Sequence, residues 1–91
     1  MKILQNGNSF QMTNENELIG EVTWTSETDD FLIIDHTYVD EHYNGQGYAR
    51  QLVDHVVAYA KDKNIKIIPL CPYAKSLFEK HPDIYGIIEY H

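Results

Sequence analysis

The sequence predicts an α+β fold: a mixed, mostly antiparallel sheet with one central β-α-β unit. Three observations predict it. Residues 1–39 break into short apolar stretches separated by polar turns, residues 49–60 switch to a helical period, and a short apolar run at 65–70 follows at once. The chain of 91 residues fits one domain spanning 1–91. A chain of this size buries only about 60–65% of its unfolded surface, enough for one modest core. Its 43% apolar and 23% charged residues are the balance of a globular chain, not a disordered one.

Ile3-Leu4-Gln5 reads as a first strand, Asn6-Gly7-Asn8-Ser9 as a tight turn, and Phe10 to Thr13 as a second strand. After the polar turn Asn14–Glu17, Leu18, Gly20, Val22 and Trp24 alternate with Ile19, Glu21, Thr23 and Thr25, the period of a half-buried strand. Ser26 to Asp30 form another turn, and Phe31 to Val39 a fourth strand. Its opening run, Phe31-Leu32-Ile33-Ile34, suggests burial on both faces. Connections this short favour a meander.

Ala49, Leu52, Val53, Val56, Val57 and Ala60 form a helical stripe, with Arg50, Asp54, His55, Lys61 and Asp62 facing away. Asn64 suits the C-cap, and Lys61 and Lys63 suit the negative end of the helix dipole. Ile65 to Leu70 then form a strand parallel to Phe31–Val39, because a crossover helix joins them. Tyr73 to Lys80 read as a second helix stopped by His81-Pro82, and Ile84 to Tyr90 as a last strand.

Charge and composition exclude several functions. Seven Lys and Arg against fourteen Asp and Glu give a net charge of −7, which argues against a nucleic-acid partner. The apolar runs are far shorter than the roughly 20 residues that span a bilayer, so no membrane partner is expected. Met1-Lys2-Ile3-Leu4-Gln5-Asn6 lacks the apolar core and cleavage site of an export signal. Cys71 is the only cysteine, which with no export signal points to a reducing cytoplasm. One Cys and five scattered His offer no metal-ligand cluster, so no metal is expected.

The informative segment is Asp40 to Arg50, between the fourth strand and the long helix. The first N–H groups of a helix lack internal acceptors, and the helix dipole favours an anion there. Glycines at 45 and 47 let the backbone take positive φ and approach a phosphate closely. A Rossmann fingerprint would need a third glycine where Arg50 stands, and a P-loop would need Gly-Lys-Ser/Thr. An anion cradle and a plain glycine turn both fit.

Asn44-Gly45-Gln46-Gly47-Tyr48-Ala49 resembles the acetyl-CoA pyrophosphate loop of the GCN5-related N-acetyltransferases (GNATs), Gln/Arg-x-x-Gly-x-Gly/Ala. Gly47 and Ala49 match its small positions, while Asn44 departs from Gln/Arg. Together with His36-Thr37-Tyr38-Val39, Pro69-Leu70-Cys71-Pro72 and His81-Pro82, the loop resembles the small YjdJ-type subgroup over about Phe31 to Asp83. The resemblance implies a minimal GNAT-like fold in which CoA lies where two parallel strands splay apart. It implies that backbone groups of Thr37, Tyr38 and Val39 run along the pantetheine arm. Asn44, Gly45, Gln46, Gly47, Tyr48, Ala49 and Arg50 would then hold the pyrophosphate. The family usually carries two helices between its first strands, where this chain has only Asn6 to Ser9. An acceptor, either a small amine or a residue on a partner protein, would therefore be poorly enclosed.

Cys71 follows the second parallel strand, near where the resemblance puts the acetyl group. It reads either as a thiol that takes up the acetyl, with His36 as its general base, or as a small buried hydrophobe, with His36 a structural histidine. Tyr73 stands in the region where the resemblance implies a tyrosine acid that protonates the departing CoA thiolate, but it is expected to pack in the core. The chain is thus expected to be an acetyl-CoA-dependent acetyltransferase, with an acetyl-cysteine as one route. The alternative is an acetyl-CoA-binding carrier or sensor without an acceptor site.

Overall fold

The computed structural model describes residues 1–26 and 28–90. Five strands form one sheet in sequence order: β1 (Lys2–Gln5), β2 (Ser9–Asn14), β3 (Glu17–Thr25), β4 (Phe31–Val39) and β5 (Lys66–Pro69). The first four pair antiparallel and β4 pairs parallel with β5. The helix α1 (Tyr48–Lys63) makes the crossover, and α2 (Pro72–Lys80) and α3 (Pro82–Tyr85) follow β5. The meander and the β-α-β unit are as the sequence predicts. The Glu15-Asn16 turn has φ of 50° and 71°, the left-handed pair that a two-residue hairpin loop requires.

Two bulges set which residues face the core. Met12 pairs with Gly20 but Thr13 pairs with Leu18, so Ile19 is an extra residue in β3. The slip turns Ile19 into the core and Leu18 outward, against the simple alternation of the sequence. The second bulge matters more for the site. Trp24 pairs with Ile34 while Thr23 pairs with His36, which leaves Asp35 as the extra residue. Past it, Thr37 shares a face with buried Val22, and His36 shares the opposite, solvated face with Thr23. Thr23 and Thr25 donate their hydroxyl protons to the Asp35 carboxylate. Partial burial raises the pKa of Asp35, but these hydrogen bonds outweigh it and hold the carboxyl below its usual range.

The helical stripe packs as expected. Leu52, Val53, Val56, Val57 and Ala60 are buried against Met12, Val22, Trp24, Leu32, Ile34 and Ile67 of the sheet, while Ala49 is half-buried. Asn64 caps the helix with φ 59°. The opening run of β4 is only partly a two-faced strand. Leu32 and Ile34 are fully buried, whereas Phe31 and Ile33 are half-buried, with Phe31 against the Tyr90 ring at 4.7 Å.

The expected last strand over Ile84–Tyr90 does not form. Pro82 stops α2 but, lacking an N–H, it fits the first position of a new helix and starts α3. What remains is one parallel bridge, in which Ile67 N–H donates to Ile88 O and Tyr90 N–H to Ile67 O, both at 2.8 Å.

α2 and α3 close the core through Phe78 stacked on Tyr85, ring centroids 4.7 Å apart. Both rings are buried, so Phe78→Ala should lower unfolding free energy by about 3–5 kcal/mol. An unchanged urea midpoint would contradict this packing. Tyr85 also donates its hydroxyl to Asp54 Oδ1 of α1 at 2.7 Å. Burial, then that hydrogen bond to a carboxylate, pushes its phenol up to about 12. Because the folded state raises this pKa, its stabilisation is complete below about pH 10 and is lost as pH climbs through the folded value. Wild type should therefore lose stability in that window relative to Tyr85→Phe, read from paired urea midpoints. Parallel curves for the two proteins would refute the linkage.

Candidate functional site

β4 and β5 stay paired only from Phe31 with Lys66 to Ile34 with Pro69. There the carbonyl of Ile34 accepts the N–H groups of both Leu70 (3.1 Å) and Cys71 (2.9 Å), and the chain leaves the sheet. Pro72 at the first position of α2 fixes that departure. From Asp35 to Val39 β4 continues beside β3 but without β5, so β4 and β5 splay. Asp40 N–H donates to Ile19 O of β3 at 2.8 Å. Backbone groups alternate sides along a strand, so those of Tyr38 turn to β3 and those of Thr37 and Val39 to the vacated edge.

Above the splay, Asp40 caps a 3₁₀ turn (Glu41–Tyr43) by accepting His42 N–H at 2.9 Å. Gly45 and Gly47 follow with φ of 80° and 81°, values that other residues rarely adopt. α1 begins after Gly47, and the first N–H of this stretch with an internal acceptor is that of Gln51, bonded to Gly47 O at 3.1 Å. The N–H groups of Gly45, Gln46, Gly47, Tyr48, Ala49 and Arg50 have no acceptor among the described residues. A Cβ built on either glycine would meet nothing within 4 Å, so the approach to these donors is open. Four of these residues, Gly45, Gly47, Tyr48 and Ala49, line a cleft of about 430 Å³ together with Asn44 of the loop, Thr37 and Val39 of β4, and Tyr43 and Tyr73.

The structure thus brings together Thr37, Val39, Asn44, Gly45, Gly47, Tyr48 and Ala49 at one cleft. Gln46 lies on its rim, exposed, accepting the Tyr48 hydroxyl at 3.1 Å. The others stand elsewhere. The Arg50 guanidinium lies 3.8 Å from Asp54, one turn along the helix, so it reaches along α1 instead of over the loop. Tyr38 is 42% exposed on the far face of the sheet, and its backbone groups are turned to β3. His36 is on that far face as well. The thiol of Cys71 meets Thr37 instead, with Sγ 3.5 Å from Thr37 Oγ1, and Cys71 is only 5% exposed. The structure therefore does not pair Cys71 with His36, because the Asp35 bulge turns the histidine away.

Tyr43 escapes the sequence reading, and Tyr73 departs from the core position expected of it. Tyr43 comes from the 3₁₀ turn, and Tyr73, expected in the core, is 39% exposed on the cleft wall. The signal for Tyr73 was Pro72, which begins α2 at the splay and so places the next residue beside it. Desolvation raises the Tyr73 phenol above its usual pKa, with Arg50 opposing and Asp54 adding. It is a neutral hydrogen-bond donor at physiological pH. Among the described residues no group of three His, Cys, Asp or Glu side chains is arranged to hold a metal ion. No helix among the described residues is long and apolar enough to cross a membrane.

The sequence profile of the GCN5-related N-acetyl-transferase family matches residues 9–88. A GCN5-like protein of Staphylococcus aureus, solved by NMR, is 34% identical, with TM-score 0.80 over 98% of this chain and 87% of its own. A GNAT family acetyltransferase from Elizabethkingia anophelis, with acetyl-CoA bound, is 27% identical with TM-score 0.59, over 65% of this chain and 39% of that one. Ribosomal-protein-alanine N-acetyltransferase from Brucella melitensis shares the fold at 23% identity and TM-score 0.64, over 79% and 58%. A search of curated proteins gave no match.

Proposed function

Because the chain belongs to the GCN5-related N-acetyltransferase family, we propose that it binds acetyl-CoA in the cleft and transfers the acetyl group to an amine. One observation carries the reading: six consecutive N–H groups without acceptors among the described residues, from Gly45 to Arg50, at the mouth of a helix, with Gly45, Gly47, Tyr48 and Ala49 lining the cleft. In a chain of net charge −7 they are the local device that holds a pyrophosphate. The Thr37 and Val39 backbone groups, facing the vacated edge, suit the amides of the pantetheine arm. The acetyl-CoA bound by the Elizabethkingia relative supports the same ligand here. In this reading the four sequence motifs mark the small YjdJ-type subgroup, residues 1–91 act as one domain, and no metal takes part.

The acetyl group would reach the splay, where Cys71 immediately precedes α2. Transfer from one thiol to another is nearly isoenergetic, so an acetyl-Cys71 intermediate costs little and would pass the acetyl to an amine afterwards. A thiol used in this way needs a reducing compartment, which favours the cytoplasm. The acceptor is a small amine or a residue presented by a protein. The joining turn of residues 6–8 between β1 and β2 leaves little material to enclose it. That same feature favours the second reading, a carrier or sensor that holds acetyl-CoA without an acceptor of its own. Nucleic acid and membrane are not partners in either reading.

Titration with CoA and acetyl-CoA, followed by amide ¹⁵N–¹H spectra, should move the resonances of Gly45 to Arg50 first. Turnover is then measured over a panel of amines and in protein lysates. Failure to move those resonances refutes the cofactor site. Binding with no turnover above background moves the assignment to the carrier.

A further inference from the structure

We propose that the Thr37 hydroxyl holds the Cys71 thiol and carries its proton to the departing CoA sulfur; this rests on the acetyl-Cys71 reading above. Thr37 Oγ1 is the polar atom recorded in contact with Cys71 Sγ, at 3.5 Å. The same side chain lines the cleft, and Cys71, 5% exposed, lies against it. Thr37 has no other side-chain hydrogen bond among the described residues, so its own proton is free to point into the cleft. A hydroxyl accepts one proton while donating another. Thr37 therefore has the thiol on its acceptor side and the substrate on its donor side.

The bulge at Asp35 makes this arrangement. Without the extra residue, His36 would turn toward the core and Thr37 outward. With it, the position facing Cys71 is a β-branched alcohol, stiff at χ1, and the histidine is on the other face.

The step balances without another reactant. The Sγ lone pair forms the bond to the acetyl carbon, and the acetyl–sulfur bond of acetyl-CoA breaks with its electron pair going to the CoA sulfur. The Sγ proton passes to Thr37 Oγ1 as the Thr37 proton passes to the CoA sulfur. Thioester plus thiol gives thiol plus thioester, with no change of oxidation state.

Thr37→Val keeps the shape and removes the hydroxyl, and Thr37→Ser restores it. The rate at which acetyl-CoA acetylates Cys71 is followed by intact mass, beside the rate of Cys71 alkylation by iodoacetamide, which needs no proton delivered to CoA. Thr37→Val should slow acetylation roughly 100-fold, the scale of a positioned proton transfer, and alkylation by no more than a few-fold. Thr37→Ser should recover most of the acetylation rate.

Acetylation of Thr37→Val at the wild-type rate overturns the proposal and leaves acetyl-Cys71 standing. Equal slowing of acetylation and alkylation overturns it too, as packing alone. Wild-type protein that never takes up an acetyl group overturns both readings together.

Discussion

Gly47→Glu should weaken acetyl-CoA binding at least about 100-fold, a loss of roughly 2.7 kcal/mol, while leaving the protein folded. Two effects combine. Gly47 has φ 81°, and a residue with a Cβ pays on the order of 1–2 kcal/mol to hold it. That strain falls on the loop conformation that presents the six amides. The second effect is charge: a carboxylate at the helix mouth faces the pyrophosphate and occupies the favourable end of the dipole. At about 4 Å and an effective dielectric of 20, two like charges cost roughly 4 kcal/mol, more than the strain. Sterics contribute little inside the protein, since a Cβ at Gly47 meets nothing within 4 Å. Gly47→Ala carries the strain without the charge and should fall between the two. Calorimetric titration of the three proteins, each with its thermal midpoint, tests the ranking. Equal affinities for Gly47→Glu and wild type would remove the phosphate from this helix mouth.

The same loop shows how far sequence reaches. Helix α1, its stripe and its Asn64 cap were legible because periodicity and capping are local properties. The left-handed turn at Gly45 and Gly47 was legible for a related reason: glycines between a strand and a helix announce the backbone conformation they permit. What was not legible depended on pairing between strands. A bulge is a count of residues on one strand against its partner, so neither the exchange of Leu18 for Ile19 nor the extra Asp35 leaves a mark in composition. That one inserted residue decided which side chain faces Cys71. In sequence, His36 and Thr37 are equally good neighbours for Cys71; after the bulge, only Thr37 faces it. The segment after α2 failed for another reason. Pro82 was read as a stop, and a proline that ends one helix serves equally well as the first residue of the next.

Cys71→Ala should abolish the protein-bound acetyl group and slow transfer to any accepted amine by at least about 100-fold. Stability should fall by only about 1 kcal/mol, because the change empties the space of a single sulfur. The large effect follows from the splay. The pairing of β4 with β5 ends at Ile34, and Cys71 N–H is bound to the Ile34 carbonyl, so Sγ sits at the apex where the two strands part. An amine attacking acetyl-CoA directly would have to be held there by the protein, and only residues 6–8 join β1 to β2. A covalent acetyl on Cys71 removes that demand, since CoA can leave before the amine arrives and the same open cleft serves both in turn. The order of events is measurable. Initial rates at several amine concentrations should give parallel double-reciprocal lines for wild type, and the lost activity of Cys71→Ala should not return at saturating amine. Intersecting lines, together with a Cys71→Ala protein as fast as wild type, would mean that the amine attacks acetyl-CoA itself and that Cys71 only packs against Thr37.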